Sequence, residues 1–291
     1  MRKNLLVNEK LSGYLFILPN LVLYLLFFII PFLATIILSF TEWGLMLNPK
    51  FIGLSNYIQL LKSPVFYKTL INTLYFSFSR VVLTISVAFG VALLLNRKIK
   101  GIVFFRTIYF LPYVSLLAAV AIVWNWLYQG DGLINYFLGL LGIQGPAWLV
   151  SEVWAMPAII IMSSWKDLGY CIVIFLAAFQ GIPKRLYEAA TIDGANWYHK
   201  IRYITIPLST HAIFFTIITT IIGTMQAFDQ FYLMTKGGPA NATTTLPYFI
   251  YKVGFEWFEM GYASAVSMVL FSIIMGITIM QWIIRKKWVF E

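Results

Sequence analysis

The sequence predicts an all-α polytopic membrane protein with six transmembrane helices, and three observations carry that prediction. Of the 291 residues, 60% are hydrophobic and only 11% are charged, and the mean hydropathy is +0.82. A water-soluble domain carries about a quarter charged residues. Six apolar runs, at about 14–40, 70–95, 103–128, 154–180, 208–235 and 263–284, reach the roughly 20 residues that a helix needs to cross the hydrocarbon layer. Lys and Arg, finally, gather at alternate ends of those runs.

The first run follows Arg2 and Lys3 as the apolar stretch of a signal peptide would. It is longer than the roughly 7–15 residues of such a stretch and is followed by no small-residue cleavage site, which predicts an uncleaved helix. Proline lacks an amide hydrogen, so Pro19, Pro31 and Pro112 are expected to kink their spans. Arg2, Lys3, Lys10, Arg97, Lys98, Lys100, Arg106, Lys184, Arg185, Lys200, Arg202, Arg285, Lys286 and Lys287 fall on one side. Lys50, Lys62, Lys68, Lys236 and Lys252 fall on the other, and Arg80 and Lys166 lie inside runs. The positive-inside rule then puts both termini in the cytoplasm. The net charge of +10 becomes a topology signal, and a nucleic-acid partner is not expected. A single cysteine, Cys171, allows no internal disulfide and no zinc pattern. The whole chain, 1–291, reads as one membrane domain.

The outward connections, 41–69, 129–153 and 236–262, mix aromatic residues with Gly, Pro and Asn, a composition suited to packing on another surface or lying at the interface. The inward connection between the fourth and fifth runs, 181–207, is far more polar. Pro183 can open a helix with Leu186, Ala189 and Ala190 on its apolar face, and Asp193-Gly194 stops that helix or caps its successor. A second short helix is expected over 195–203, with Pro207 at the entry to the fifth span. Small residues at Ala189, Ala190, Gly194 and Ala195 allow close approach of another backbone, ringed by Lys184, Arg185, Glu188 and Lys200. Spacing alone leaves two readings open: a docking knob for another protein, or an amphipathic hairpin on the headgroups.

Polar groups inside spans face a bundle interior or water. The fourth run contains "SSWKDLGY", in which Ser163 and Asp167 share one helical face and Lys166 and Tyr170 another. The fifth carries Thr216, Thr219, Thr220, Thr224, Gln226, Asp229 and Gln230. Hydroxyl, amide and carboxylate groups can hydrogen-bond sugar hydroxyls, and aromatic rings can stack on sugar faces. Ser163, Trp165, Lys166, Asp167, Tyr170, Thr220, Thr224 and Asp229 are therefore the candidate lining of a substrate pathway. The structural alternative is that Asp167 pairs with Lys166 or Arg80 to hold the bundle, while the threonines bond back to their own helices.

Glu188-Ala189-Ala190, three residues, then Gly194, and "IP" at Ile206-Pro207, resemble the EAA loop of the permease subunits of binding-protein-dependent ABC importers. "FIGLSNY" (51–57), Asn72-Thr73, "FFRTIYFLP" (104–112), "TKGGPANATTTL" (235–246) and "GYASA" (261–265) extend the resemblance over nearly the whole chain, towards the carbohydrate branch typified by maltose-transporter permeases. Ile206 stands where Leu is commoner and His211 where Pro often follows.

The resemblance implies the type I ABC importer permease fold, with a cytoplasmic EAA coupling helix between the fourth and fifth spans. It implies residence in a bacterial inner or plasma membrane. It assigns ATPase coupling to Glu188, Ala189, Ala190, Asp193, Gly194 and Pro207, and substrate contacts to the fourth and fifth spans, where Tyr170 occupies a matching position. The implied partners are a second homologous permease, two ATPase subunits, an extracytoplasmic solute-binding protein, membrane lipid and a carbohydrate, either an oligosaccharide or a glycoside. The chain has no GxxxxGK[ST] motif, so ATP and Mg²⁺ belong to separate ATPase subunits and this chain is expected to bind no cofactor and to be no enzyme. An ion-coupled secondary transporter is the alternative; it would need paired repeats and acidic relays, and only Asp167 lies deep in a span. A membrane enzyme would have to draw on His199 and His211 or on Lys166 and Asp167, which form no catalytic spacing.

Overall fold

The computed structural model describes residues 9–44, 48–96 and 101–288. Arg2, Lys3, Arg97, Lys98 and Lys100 lie outside the described residues, as do the side chains of Lys10, Lys286 and Lys287. The chain divides into two compact units, one of 1–62 with 250–269 and the other of 63–249 with 270–291.

The first span is α1 (Glu9–Tyr24), a π turn (Leu25–Ile29) and α2 (Ile30–Leu38). Pro19 stands inside α1 without interrupting it. Pro31 follows the π turn, in which the Ile30 amide reaches back to the Leu25 carbonyl; proline's missing donor makes the local slip of register tolerable. Large apolar side chains along 14–28 are exposed on every side. That is the surface of a helix whose environment is lipid or another chain.

A two-residue ribbon pairs β1 (Thr41–Glu42) with β2 (Lys50–Phe51) ahead of α3 (Ser55–Lys62). The "FIGLSNY" motif has a local reason here. Asn56 donates to the Ser39 and Thr41 carbonyls, each at 2.9 Å, and the Tyr57 hydroxyl donates to Ser39 Oγ at 2.8 Å. Together they clasp the end of the first span.

The second unit begins with α4 (Pro64–Leu95), whose cap Ser63 accepts from the Phe66 amide. The third span is broken: α5 (Ile102–Val114) and α6 (Leu117–Leu127) meet at 100°. A kink at Pro112 was the expectation; the break instead falls three residues on, where Ser115 and Leu116 are extended. Pro112 weakens the last turn, and the Ser115 hydroxyl takes up the Leu111 carbonyl. After α7 (Leu133–Leu140), α8 (Ala155–Gly181) runs unbroken. Its Phe175 and Phe179 pack on the small residues Ala88 and Ala92 of α4, while Phe89 meets both rings edge-on. Gly169 lets α8 cross α5 closely, since a Cβ there would stand 2.1 Å from the Tyr109 carbonyl oxygen.

The hairpin between the fourth and fifth spans consists of α9 (Lys184–Ile192), then α10 (Trp197–Lys200), a π turn (Ile201–Thr205) and α11 (Ile206–Leu208). The second helix thus extends beyond the expected 195–203 and reaches the membrane helix itself. Trp197–Leu208 and α12 (Thr210–Met225) meet at 66°. The fifth span also ends sooner than expected: α12 stops at Met225, residues 226–228 are not helical, and α13 (Asp229–Met234) is separate.

The turn after α13 is bound to the start of α4, which joins two of the quoted motifs. Asn72 donates to the carbonyls of Asn241 and Thr244, Lys68 donates to that of Ala240, and Thr73 Oγ1 accepts from the Leu246 amide. A helix α14 (Leu246–Tyr251) and a π turn (Lys252–Glu256) lead to the long α15 (Met260–Trp288). Within the first unit, Gly261 of "GYASA" passes so near β1 that a Cβ would lie 2.0 Å from the Thr41 carbonyl oxygen. Among the described residues, four helices are long and apolar enough to cross a membrane, and six spans result if each bent pair is one.

Candidate functional site

Arg80 is the one charge in the apolar length of α4 between 70 and 95. Its guanidinium lies over the Phe76 ring, 5.6 Å from the centroid, and Nη2 is ion-paired with Asp167 Oδ2 of α8. Of the two cations weighed for Asp167, Arg80 is its partner. Lys166 points elsewhere: Nζ donates to the Tyr113 carbonyl at 3.0 Å and sits over the Tyr113 ring, which stacks on Tyr170 with centroids 5.1 Å apart.

Two cavities of about 260 Å³ each flank this ion pair. Arg80, Asp167 and Gly223 line both. Ser163, Lys166, Leu117 and residues 226–230, with Asp229 among them, complete one; Tyr113, Tyr170, Cys171, Thr219 and Thr220 complete the other. The non-helical turn 226–228 belongs to the first. Broken backbone within a span is stable only where it is buried in protein or lines a polar cavity, so the interruption and the cavity explain each other. Arg80 Nε and Ser163 Oγ are buried at this place with no hydrogen-bond partner among the described residues.

The structure thus brings Ser163, Lys166, Asp167, Tyr170, Thr220 and Asp229 to two adjoining cavities and leaves two candidates out. Trp165 faces away, its ring 5.5 Å from that of Trp124. At 100° per residue it is turned off the face that Asp167 and Ser163 share. Thr224 is 2% exposed; its hydroxyl donates to the Ile221 carbonyl and accepts from Ser77 Oγ at 2.8 Å, joining α12 to α4. It is a structural link. Thr216 and Thr219 bond back to the carbonyls of Ala212 and Phe215, as the structural alternative had it. Gly223 and Tyr113 carried no sequence signal, because a glycine and an aromatic in an apolar run look like packing.

In the hairpin after the fourth span, α9 terminates in a Schellman motif. Gly194 has φ +77, its amide bonds to the Thr191 carbonyl, and the Ala195 amide bonds to that of Ala190. Asp193 is the last cap residue, and Asn196 caps the next helix by accepting from the His199 amide at 2.9 Å. Lys200 Nζ donates to Thr191 Oγ1 and Tyr187 meets Thr205, so the two helices form one rigid hairpin. Glu188, Ala189, Asp193 and Gly194 are exposed on it, Ala190 is half-buried, and Ile192 is 87% exposed. Pro207 sits at the hinge, where Ser209 and Thr210 hydroxyls satisfy the carbonyls freed by the 66° break.

A membrane bundle with a hinged, exposed hairpin after the fourth span and polar cavities above it can be compared with known proteins. Residues 81–289 match the family described as "Binding-protein-dependent transport system inner membrane component". The chain belongs to that family.

The permease is 38% identical to the lactose transport system permease protein LacF of Rhizobium radiobacter, over 98% of each chain. It is 35% identical to the probable ABC transporter permease protein YurN of Bacillus subtilis, over 95% of this chain and 97% of that one. A chain of the bacterial alginate ABC transporter solved with an alginate pentasaccharide-bound periplasmic protein superposes with a TM-score of 0.85 at 21% identity, covering 96% of the permease and 95% of that chain. The fold is that of an ABC importer permease, a multi-pass membrane protein.

Proposed function

We propose that the permease is the membrane-spanning subunit of an ATP-driven, binding-protein-dependent importer of a carbohydrate, an oligosaccharide or a glycoside. The observation that carries the reading is the pair of polar cavities between α4, α8 and α12, in helices otherwise apolar. Their hydroxyl, carboxylate, ammonium and phenol groups suit a neutral polyhydroxylated cargo, and the two Arg or Lys and two Asp side chains balance in charge. The kinship with permeases named for lactose and for trehalose/maltose transport agrees with that chemistry.

In this reading Ser163, Lys166, Asp167, Tyr170, Thr220 and Asp229 line the pathway, and a second homologous permease completes it. The 181–207 hairpin is cytoplasmic, as are both termini, and Glu188, Ala189, Ala190, Asp193 and Gly194 dock in a cleft of an ATPase subunit. Closure of two ATPases on ATP and Mg²⁺ would swing the rigid hairpin about Pro207 and turn the cavities from one face to the other. The permease itself is non-catalytic, and an extracytoplasmic binding protein delivers the cargo.

The test is uptake in proteoliposomes holding both permeases, the ATPases and the binding protein, with candidate oligosaccharides first ranked by affinity for the binding protein. Uptake should require ATP and every subunit. Transport by this chain alone, driven by an ion gradient, would overturn the reading.

A further inference from the structure

The Arg80–Asp167 ion pair is more than an inter-helix link, because of what stands on either side of it. Among the described residues it is, with Gly223, the only lining the two cavities share. Cavities that hold ligands of drug size run from about 300 to 1,000 Å³. Each cavity here, at about 260 Å³, falls short of that range, and the two joined fall within it. The pair stands at their common edge.

We propose that Arg80 is a pathway residue and that its ion pair with Asp167 is a removable partition, closed in the empty permease and parted by the cargo. This rests on the pathway and orientation given above. Three features make the pair separable. Arg80 Nε has no partner among the described residues, so the guanidinium's donors are incompletely used. The Asp167 side chain keeps 30% exposure, within reach of a guest's hydroxyl groups. Across from the pair, a Cβ on Gly223 would meet nothing within 4 Å, which leaves room for the pair to part.

The chemistry also ties opening to cargo. Pulling Asp167 away would leave a buried guanidinium uncompensated, which is strongly unfavourable. A hydroxyl-rich guest can accept from the Arg80 N–H groups and donate to the carboxylate, replacing the lost bonds on both sides. An empty pathway therefore stays shut, and cargo longer than one cavity requires the pair to open.

Accessibility tests this without knowing the cargo. In a Cys171→Ser background within the complete reconstituted complex, a membrane-impermeant maleimide is added outside the vesicles. Gln226→Cys reports the cavity on the binding-protein side and Thr220→Cys the cavity beyond the pair. Gln226→Cys should react readily and Thr220→Cys slowly. A closed two-state gate holds its open form to at most about a tenth, so Arg80→Ala should speed Thr220→Cys labelling by at least about tenfold. Gln226→Cys, also a folding control, should be unchanged. Asp167→Asn should act in the same direction, and the exchanged pair Arg80→Asp with Asp167→Arg should restore slow labelling. Equal labelling of the two reporters before the pair is altered, or no change in Thr220→Cys with both single variants, would overturn the partition. Labelling of Gln226→Cys only from the vesicle interior would instead overturn the orientation beneath it.

Discussion

Asn72 donates its side-chain amide at 2.9 Å to the backbone carbonyl of Asn241, which lies 169 positions further along the chain. A second donation reaches the Thr244 carbonyl at 3.0 Å, so one side chain at the start of α4 fastens the whole turn before α14. Asn72→Leu takes a donor from both carbonyls; that of Asn241 keeps the Thr244 amide at 3.3 Å, and the loss at Thr244 costs about 1–3 kcal/mol if water does not replace the bond. The expected result is a lower melting temperature in detergent and faster proteolysis within 235–246. An unaltered digestion pattern would show that the turn holds itself.

Gly169 and Gly90 offer a contrast on neighbouring helices. A methyl at Gly169 meets the Tyr109 carbonyl oxygen, whereas one at Gly90 meets nothing within 4 Å. Gly169→Ala should therefore destabilise by about 1–3 kcal/mol through overpacking. Gly90→Ala should be neutral or stabilising by about 0.4–1 kcal/mol through lost freedom of the unfolded chain. Thermal unfolding of both purified variants checks the sign of each.

The two threonines named as candidates should part company. Thr224→Val removes the acceptor of the buried Ser77 hydroxyl and should cost about 1–3 kcal/mol of stability. Thr220→Val, at a cavity wall, should leave the melting temperature alone and weaken uptake about 2- to 10-fold, the worth of one hydrogen bond of about 0.5–1.5 kcal/mol. Melting curves and uptake titrations on the same preparations separate the two effects.

Gly194 has φ +77, a conformation that costs a side-chain-bearing residue roughly 1–2 kcal/mol. Gly194→Val should distort the hairpin tip without touching the membrane helices, lowering co-purification of the ATPase and uptake together. Glu188→Ala, on an exposed surface, should lower both with no change in melting temperature. Normal association and uptake in both variants would remove the docking role from this loop.

The sequence by itself determined the number of spans, the exposed hairpin between the fourth and fifth, and the polar residues that had to be dealt with inside lipid. These follow from sums over long windows and from residues whose solvation cost is large wherever they lie. Only the tertiary structure decided where the spans break, at 115–116, at 209 and at 226–228, because a two-residue change of backbone direction barely alters a hydropathy sum and depends on side chains such as Ser115 and Ser209 finding carbonyls. It alone also chose Arg80 over Lys166 for Asp167, set Trp165 against Trp124 and buried Thr224 against Ser77. Periodicity puts a side chain on a face of its own helix; which neighbour that face meets is set by packing, and Gly169 and the Ala88–Ala92 face set it here by letting α8 approach two helices closely.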